Sequence, residues 1–137
     1  MEGRRVFATN QKTGAGLGAR TILVVEDEAL VREIIASELA ESGYLVLEAA
    51  TAEEGLATLE SQPVHLLFTD IRLPGHMDGW VLAEEARALL PRLPVIYATG
   101  YSSGAPRVVP DGVFLRKPYF PSTVIAAVER LLRDEPG

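Results

Sequence analysis

From Thr21 onward the chain alternates short apolar runs with amphipathic stretches, a rhythm that few folds can satisfy. The apolar runs at residues 22–25, 45–47, 64–69, 95–98 and 113–116 read as strands. Between them, Leu30, Val31, Ile34, Ile35 and Leu39 recur at helical spacing, and Gly43 is placed as a left-handed terminator. Thr51 followed by Glu54 is a capping-box signature for a second helix to about residue 60, which Gln62 and Pro63 end. Residues 80–90 read as a helix stopped by Pro91, and Val124, Val128, Leu131 and Leu132 form the inner stripe of a last one. Strands separated by helices require right-handed crossovers and hence a parallel sheet covered on both faces. The expected fold is therefore α/β, a doubly wound five-stranded parallel sheet. One helix breaks the rhythm: residues 100–111 hold Gly100, Gly104, Pro106 and Pro110 and no clear apolar stripe, so a shortened or irregular fourth helix is expected.

The polar residues that end these runs are the second constraint. Glu26 and Asp27 follow the first, Asp70 the third, Thr99 the fourth and Lys117 the fifth. In a parallel sheet all emerge at one carboxyl edge, where open α/β folds place their ligands. A carboxylate can take a phosphoryl group as an acyl phosphate, but attacking and transferring groups are both anionic and need neutralising. Magnesium prefers oxygen ligands, keeps several waters and is held by one or two carboxylates plus phosphate oxygens. Asp27 and Asp70 suit it, with Glu26 acting through water. Lys117 would set an ammonium against the phosphoryl oxygens and Thr99 a hydroxyl. Without cysteine there is no disulfide, thiol nucleophile or thiolate metal site. Taken singly, Asp70 could be a turn former, Lys117 a snorkelling strand end and Thr99 a local backbone partner; their shared edge favours the site. Glu28 reads as a first-turn acid, His65 as an ordinary strand residue and His76 as a loop residue with no second histidine at ligand spacing.

A length of 137 residues with 47% apolar content suits a single packed domain. No stretch approaches the roughly 18 apolar residues of a membrane span, and no signal-peptide core opens the chain, so a soluble cytoplasmic protein is expected. A net charge of -6 with scattered Lys and Arg argues against nucleic acid as a partner. Residues 1–20 read as a flexible N-terminal arm and 135–137 as a C-terminal tail. The glycine-rich 14–19 segment loosely follows a dinucleotide-binding loop, but it precedes the first strand instead of following one.

The acidic pair, the lone Asp70, Thr99 and the Lys117-Pro118 step, in this order and spacing, resemble the receiver domain of two-component response regulators over residues 21–134. That resemblance implies a flavodoxin-like sheet, Mg2+ as cofactor and Asp70 as phosphoacceptor. It implies Glu26, Asp27, Asp70 and the Arg72 backbone carbonyl as metal ligands, and Thr99 and Phe114 as switch residues. It also implies a cis peptide before Pro118. The expected protein is a phosphoacceptor rather than a turnover enzyme, able to load from small donors and to lose its phosphoryl group. Its partners would be a histidine kinase or a histidine phosphotransfer protein, with the downstream protein unspecified, and its state a monomer or weak dimer. The 97–101 segment, Tyr-Ala-Thr-Gly-Tyr, is similar to the Phe-Ala-Thr-Gly-type motif of alphaproteobacterial single-domain receivers. With no output domain expected after residue 137, a stand-alone switch or phosphate sink is the reading. Two departures stand out. The 73–79 loop is one residue longer than the common form, and the weak 100–111 segment implies a remodelled output face. Three alternatives compete. A haloacid-dehalogenase-like phosphatase would want an Asp where Arg72 stands. A flavodoxin-like cofactor binder would not want an acidic first loop. A phosphorylation-independent protein-interaction module remains open.

Overall fold

The computed structural model describes residues 6–7, 19–100 and 107–133. In chain order these form β1 (Val6–Phe7), β2 (Thr21–Val25), α1 (Ala29–Glu41), β3 (Leu45–Ala49), α2 (Ala52–Ser61), β4 (Leu66–Asp70), α3 (Gly79–Leu89), β5 (Val95–Thr99), β6 (Val113–Arg116) and α4 (Pro121–Arg133). The sheet order is β1-β3-β2-β4-β5-β6, and the five strands from β3 to β6 are mutually parallel. This is the flavodoxin-like doubly wound sheet, with its topological switch point between β2 and β4.

Every residue of β2, β4 and β5 is buried, as expected for parallel strands covered on both faces. Alternate side chains feed two cores. Leu23, Val25, Leu67, Val95 and Tyr97 meet α2 and α3 through Leu59, Leu82, Ala83 and Ala86. Ile22, Val24, Leu66, Phe68 and Ile96 meet α1 and α4 through Ile35, Leu39, Val124 and Val128.

The local signals act as read. Gly43 ends α1 at φ 104°, a left-handed conformation that favours glycine. Thr51 Oγ1 accepts the Glu54 amide at 3.0 Å, while the Glu54 carboxylate reaches one residue further back than a strict capping box, to the Ala50 amide at 2.9 Å.

Two expectations need correction. The arm at residues 1–20 is not wholly loose: Val6 and Phe7 pair antiparallel with Val46 and Leu47, adding a sixth strand to the sheet. An edge strand presents a row of backbone donors and acceptors, and even two residues satisfy part of such a row. The stripe on α1 is split, because Leu30 and Ile34 are exposed while Ile35, Ala36 and Leu39 face the core. The segment expected to hold an irregular fourth helix falls largely outside the described residues, at 101–106; just before β6 the Gly112 amide closes a turn on the Val109 carbonyl at 2.9 Å. The glycine-rich 14–18 stretch and the 134–137 tail also lie outside the described residues.

Candidate functional site

The register brings the polar strand ends together. Val25 pairs with Thr69 and Asp70 with Ala98, so Glu26, Asp70 and Thr99 follow one another across the sheet edge. Thr99 pairs with Arg116, which puts Lys117 next in line, and the Lys117 amide donates to the Thr99 carbonyl at 2.8 Å. The Lys117-Pro118 peptide is cis.

Asp70 is 6% exposed. Its Oδ1 accepts the Ile71 amide at 2.6 Å and the Arg72 amide at 3.3 Å, and its Oδ2 receives Lys117 Nζ at 2.9 Å. Lys117 Nζ also reaches Glu26 Oε1 at 3.3 Å. Burial works to lower the Lys117 ammonium, but the hydrogen bond and charge of Asp70, reinforced by Glu26, hold it above its ordinary value. Glu26 is 1% exposed, and burial pushes its carboxyl up to about 7. The Glu28 amide, which donates to Glu26 Oε2 at 3.1 Å, and the Lys117 charge oppose that rise; the Asp70 charge adds to it. Such a group gains by the approach of a further cation.

One oxygen from each of Glu26, Asp27 and Asp70 lies within 4.8 Å of the others. Three converging carboxylates, two of them buried, form an all-oxygen donor set that fits a hard divalent cation such as Mg2+. Asp27 and Arg72 line one cavity of about 580 Å³ with Asp78 and Trp80, so the space beside the carboxylates opens to solvent-borne ligands. Both histidines lie on the surface: His65 Nδ1 accepts the Thr21 amide at 2.9 Å just before β4.

The remaining expected residues sit around this cluster. Thr99 is buried at the end of β5. Phe114 is half-buried on β6, its ring stacked on Trp80 with centroids 6.4 Å apart and planes at 13°. Trp80 in turn lies 5.0 Å from the Tyr97 ring, whose hydroxyl accepts the Val109 amide at 3.0 Å. The long 73–79 loop is braced from α2. Glu53 Oε2 accepts the His76 amide at 3.0 Å beside Gly75, whose φ is 96°. Gly79, at the start of α3, packs its Cα so closely on the Asp70 carbonyl and Ile71 that no side chain fits.

Sequence reasoning passed over Trp80, Arg32 and Glu48. Arg32 Nη1 donates to the Glu26 carbonyl at 2.8 Å and Nε to Glu48 Oε1 at 3.2 Å. The available signal was Glu48 itself, a charge directly following the apolar run 45–47.

Comparison with known proteins gives the family of the chain. The response regulator receiver domain family matches residues 22–129. The chain belongs to that family. This receiver is 35% identical over 123 residues to the transcriptional regulatory protein AruR of Pseudomonas aeruginosa, covering 82% of this chain and 49% of AruR. It thus spans about half the length of that relative. It is 31% identical over 120 residues to the response regulator receiver protein CpdR of Brucella abortus, covering 82% of this chain and 97% of CpdR. A receiver protein from Sinorhizobium medicae superposes with a TM-score of 0.82 at 33% identity, over 87% of this chain and 98% of that one. Receiver domains are phosphoacceptor signalling modules that use Mg2+ in an acidic pocket, and among the described residues no helix is long and apolar enough to cross a membrane.

Proposed function

We propose that this receiver is a magnesium-dependent phosphoryl acceptor, loaded on Asp70 by a histidine kinase or histidine phosphotransfer protein and acting as a switch or phosphate sink. The observation that carries the reading is the Asp70 carboxylate, buried at the carboxyl edge with Lys117 Nζ at 2.9 Å and the Glu26 and Asp27 carboxylates beside it. Glu26, Asp27, Asp70 and the Arg72 backbone carbonyl would hold the metal, whose charge offsets the repulsion between carboxylate and phosphoryl group.

In the transfer, an Asp70 oxygen forms a bond to phosphorus as the bond from phosphorus to the donor imidazole nitrogen breaks. The imidazole leaves with that electron pair. Lys117 holds one phosphoryl oxygen and stabilises charge in transit. The new group carries about two negative charges, which the Thr99 hydroxyl can meet by moving inward with the end of β5. Phe114, stacked on Trp80, is the aromatic that follows.

The donor's approach is supported by an apolar groove of about 600 Å³ that Val31, Ile34, Ile35 and Tyr119 line together with Lys117. Leu30, Ile34 and Phe120 are exposed there or nearby, as suits a helical protein partner. The Tyr97-Ala98-Thr99-Gly100 run supports placement near the alphaproteobacterial single-domain receivers. We further assign the protein to the cytoplasm and expect a monomer or weak dimer.

Intact-mass measurement after incubation with a small phosphodonor tests the proposal. The native chain is expected to gain one phosphoryl group with Mg2+ and none without it, and Asp70→Ala to gain none. A gain that persists in Asp70→Ala refutes the acceptor assignment. No gain with any donor would favour the phosphorylation-independent interaction module.

A further inference from the structure

We propose that Arg32, held by the buried Glu48 carboxylate, is a positioning residue that orients the Glu26-Asp27 segment for cation binding; the proposal rests on the receiver reading above. Arg32 lies near the start of α1, its amide bonded to the Glu28 carbonyl at 2.9 Å. Its guanidinium forks, with Nη1 on the Glu26 carbonyl at 2.8 Å and Nε on Glu48 Oε1 at 3.2 Å. The Glu26 amide meanwhile donates to the Ala49 carbonyl at 3.1 Å. Both faces of the Glu26 residue are therefore tied to consecutive residues at the end of β3, one directly and one through Arg32. That double tie sets where the Glu26 side chain leaves the backbone and how the peptide turns into Asp27.

Charge makes the same point. A guanidinium this close to the acidic pair would be expected to compete with a metal for carboxylate oxygen. Glu48, 2% exposed, directs it onto a different carboxylate and leaves the Glu26-Asp27-Asp70 cluster with its anionic charge. A planar fork is needed, because the compact ammonium of lysine does not span two acceptors in fixed directions. Groups that orient metal ligands typically change affinity by about 10–100-fold when removed.

The test is Mg2+ titration of the full chain, read by Trp80 fluorescence and independently by calorimetry, with Tm measured on each variant. Arg32→Lys is expected to bind Mg2+ about tenfold more weakly or worse. Glu48→Gln should weaken binding in the same direction, and the double variant should be no weaker than the worse single one, as for residues acting through one contact. Leu132→Ala, at the far end of α4, supplies a comparable loss of Tm and should keep native Mg2+ affinity. Native affinity in Arg32→Lys, or an equal loss in Leu132→Ala, overturns the positioning role alone. Absence of Mg2+ binding by the native chain overturns this role and the receiver reading together.

Discussion

In the metal-free protein Glu26 makes stability fall as pH rises. Its carboxyl is carried by burial from an ordinary 4.5 to about 7 in the folded chain. Between those values the native state holds a proton that the unfolded state has released. Unfolding then releases protons, and ΔG of unfolding declines with pH. The loss is absent below pH 4.5, accumulates through the interval and is complete above pH 7. At about 1.4 kcal/mol for each pH unit, the full effect is roughly 3 kcal/mol. Urea unfolding of the native chain and of Glu26→Gln, in EDTA at pH values from 4.5 to 7.5, isolates it. Trp80, the single tryptophan, is the probe. The stability difference between the two proteins should shift by roughly 3 kcal/mol in favour of Glu26→Gln as pH rises. Saturating Mg2+ should remove most of that shift, since a cation binding only the native state stabilises it by mass action. Parallel stability curves in EDTA would refute the reasoning, because they would mean that the Glu26 carboxyl titrates alike in both states.

Two other substitutions probe the frame around the site. Gly79→Ala forces a Cβ onto the Asp70 carbonyl and to 2.8 Å from Ile71 Cα, and should cost about 1–3 kcal/mol, read as a lower Tm. A neutral effect would show that the start of α3 moves freely relative to β4. Tyr119→Phe should stabilise by about 1 kcal/mol in chemical unfolding. The Tyr119 hydroxyl is buried without a hydrogen-bond partner among the described residues, and burial has pushed it up to about 12, so its removal relieves desolvation with no pairing among those residues lost. A destabilised Tyr119→Phe would count against that account.

The sheet and its polar edge were readable because each depends on local pattern. Uninterrupted apolar runs mark strands buried on both faces, and a polar residue after each run must lie at the carboxyl end. What escaped depends on long-range pairing. Glu48 directly follows the apolar 45–47 run, where the apolar pattern ends; β3 continues through Ala49, and the Glu48 charge inside is met by Arg32 arriving from α1. Val6 and Phe7 are too short a run to show a period of two, and they become a strand only beside β3. Leu30 and Ile34 fit a helical stripe by spacing, yet the small Ala36 occupies the core-facing line that spacing would give to a larger residue. Trp80 begins an ordinary amphipathic helix in sequence. Its place between Tyr97 and Phe114 depends on how α3 crosses the sheet.

The strand at Val6–Phe7 also changes what the sheet can recruit. An open row of backbone donors and acceptors is a template for any extended peptide, including another copy of the same chain. On one side that template is reduced to a two-residue border supplied by the chain itself. On the other side stands β6, four residues long and ending at Arg116, one residue before Lys117. A peptide that extended this sheet at β6 would therefore lie next to the ammonium that contacts Asp70, and its binding would be coupled to the charge state of the acceptor.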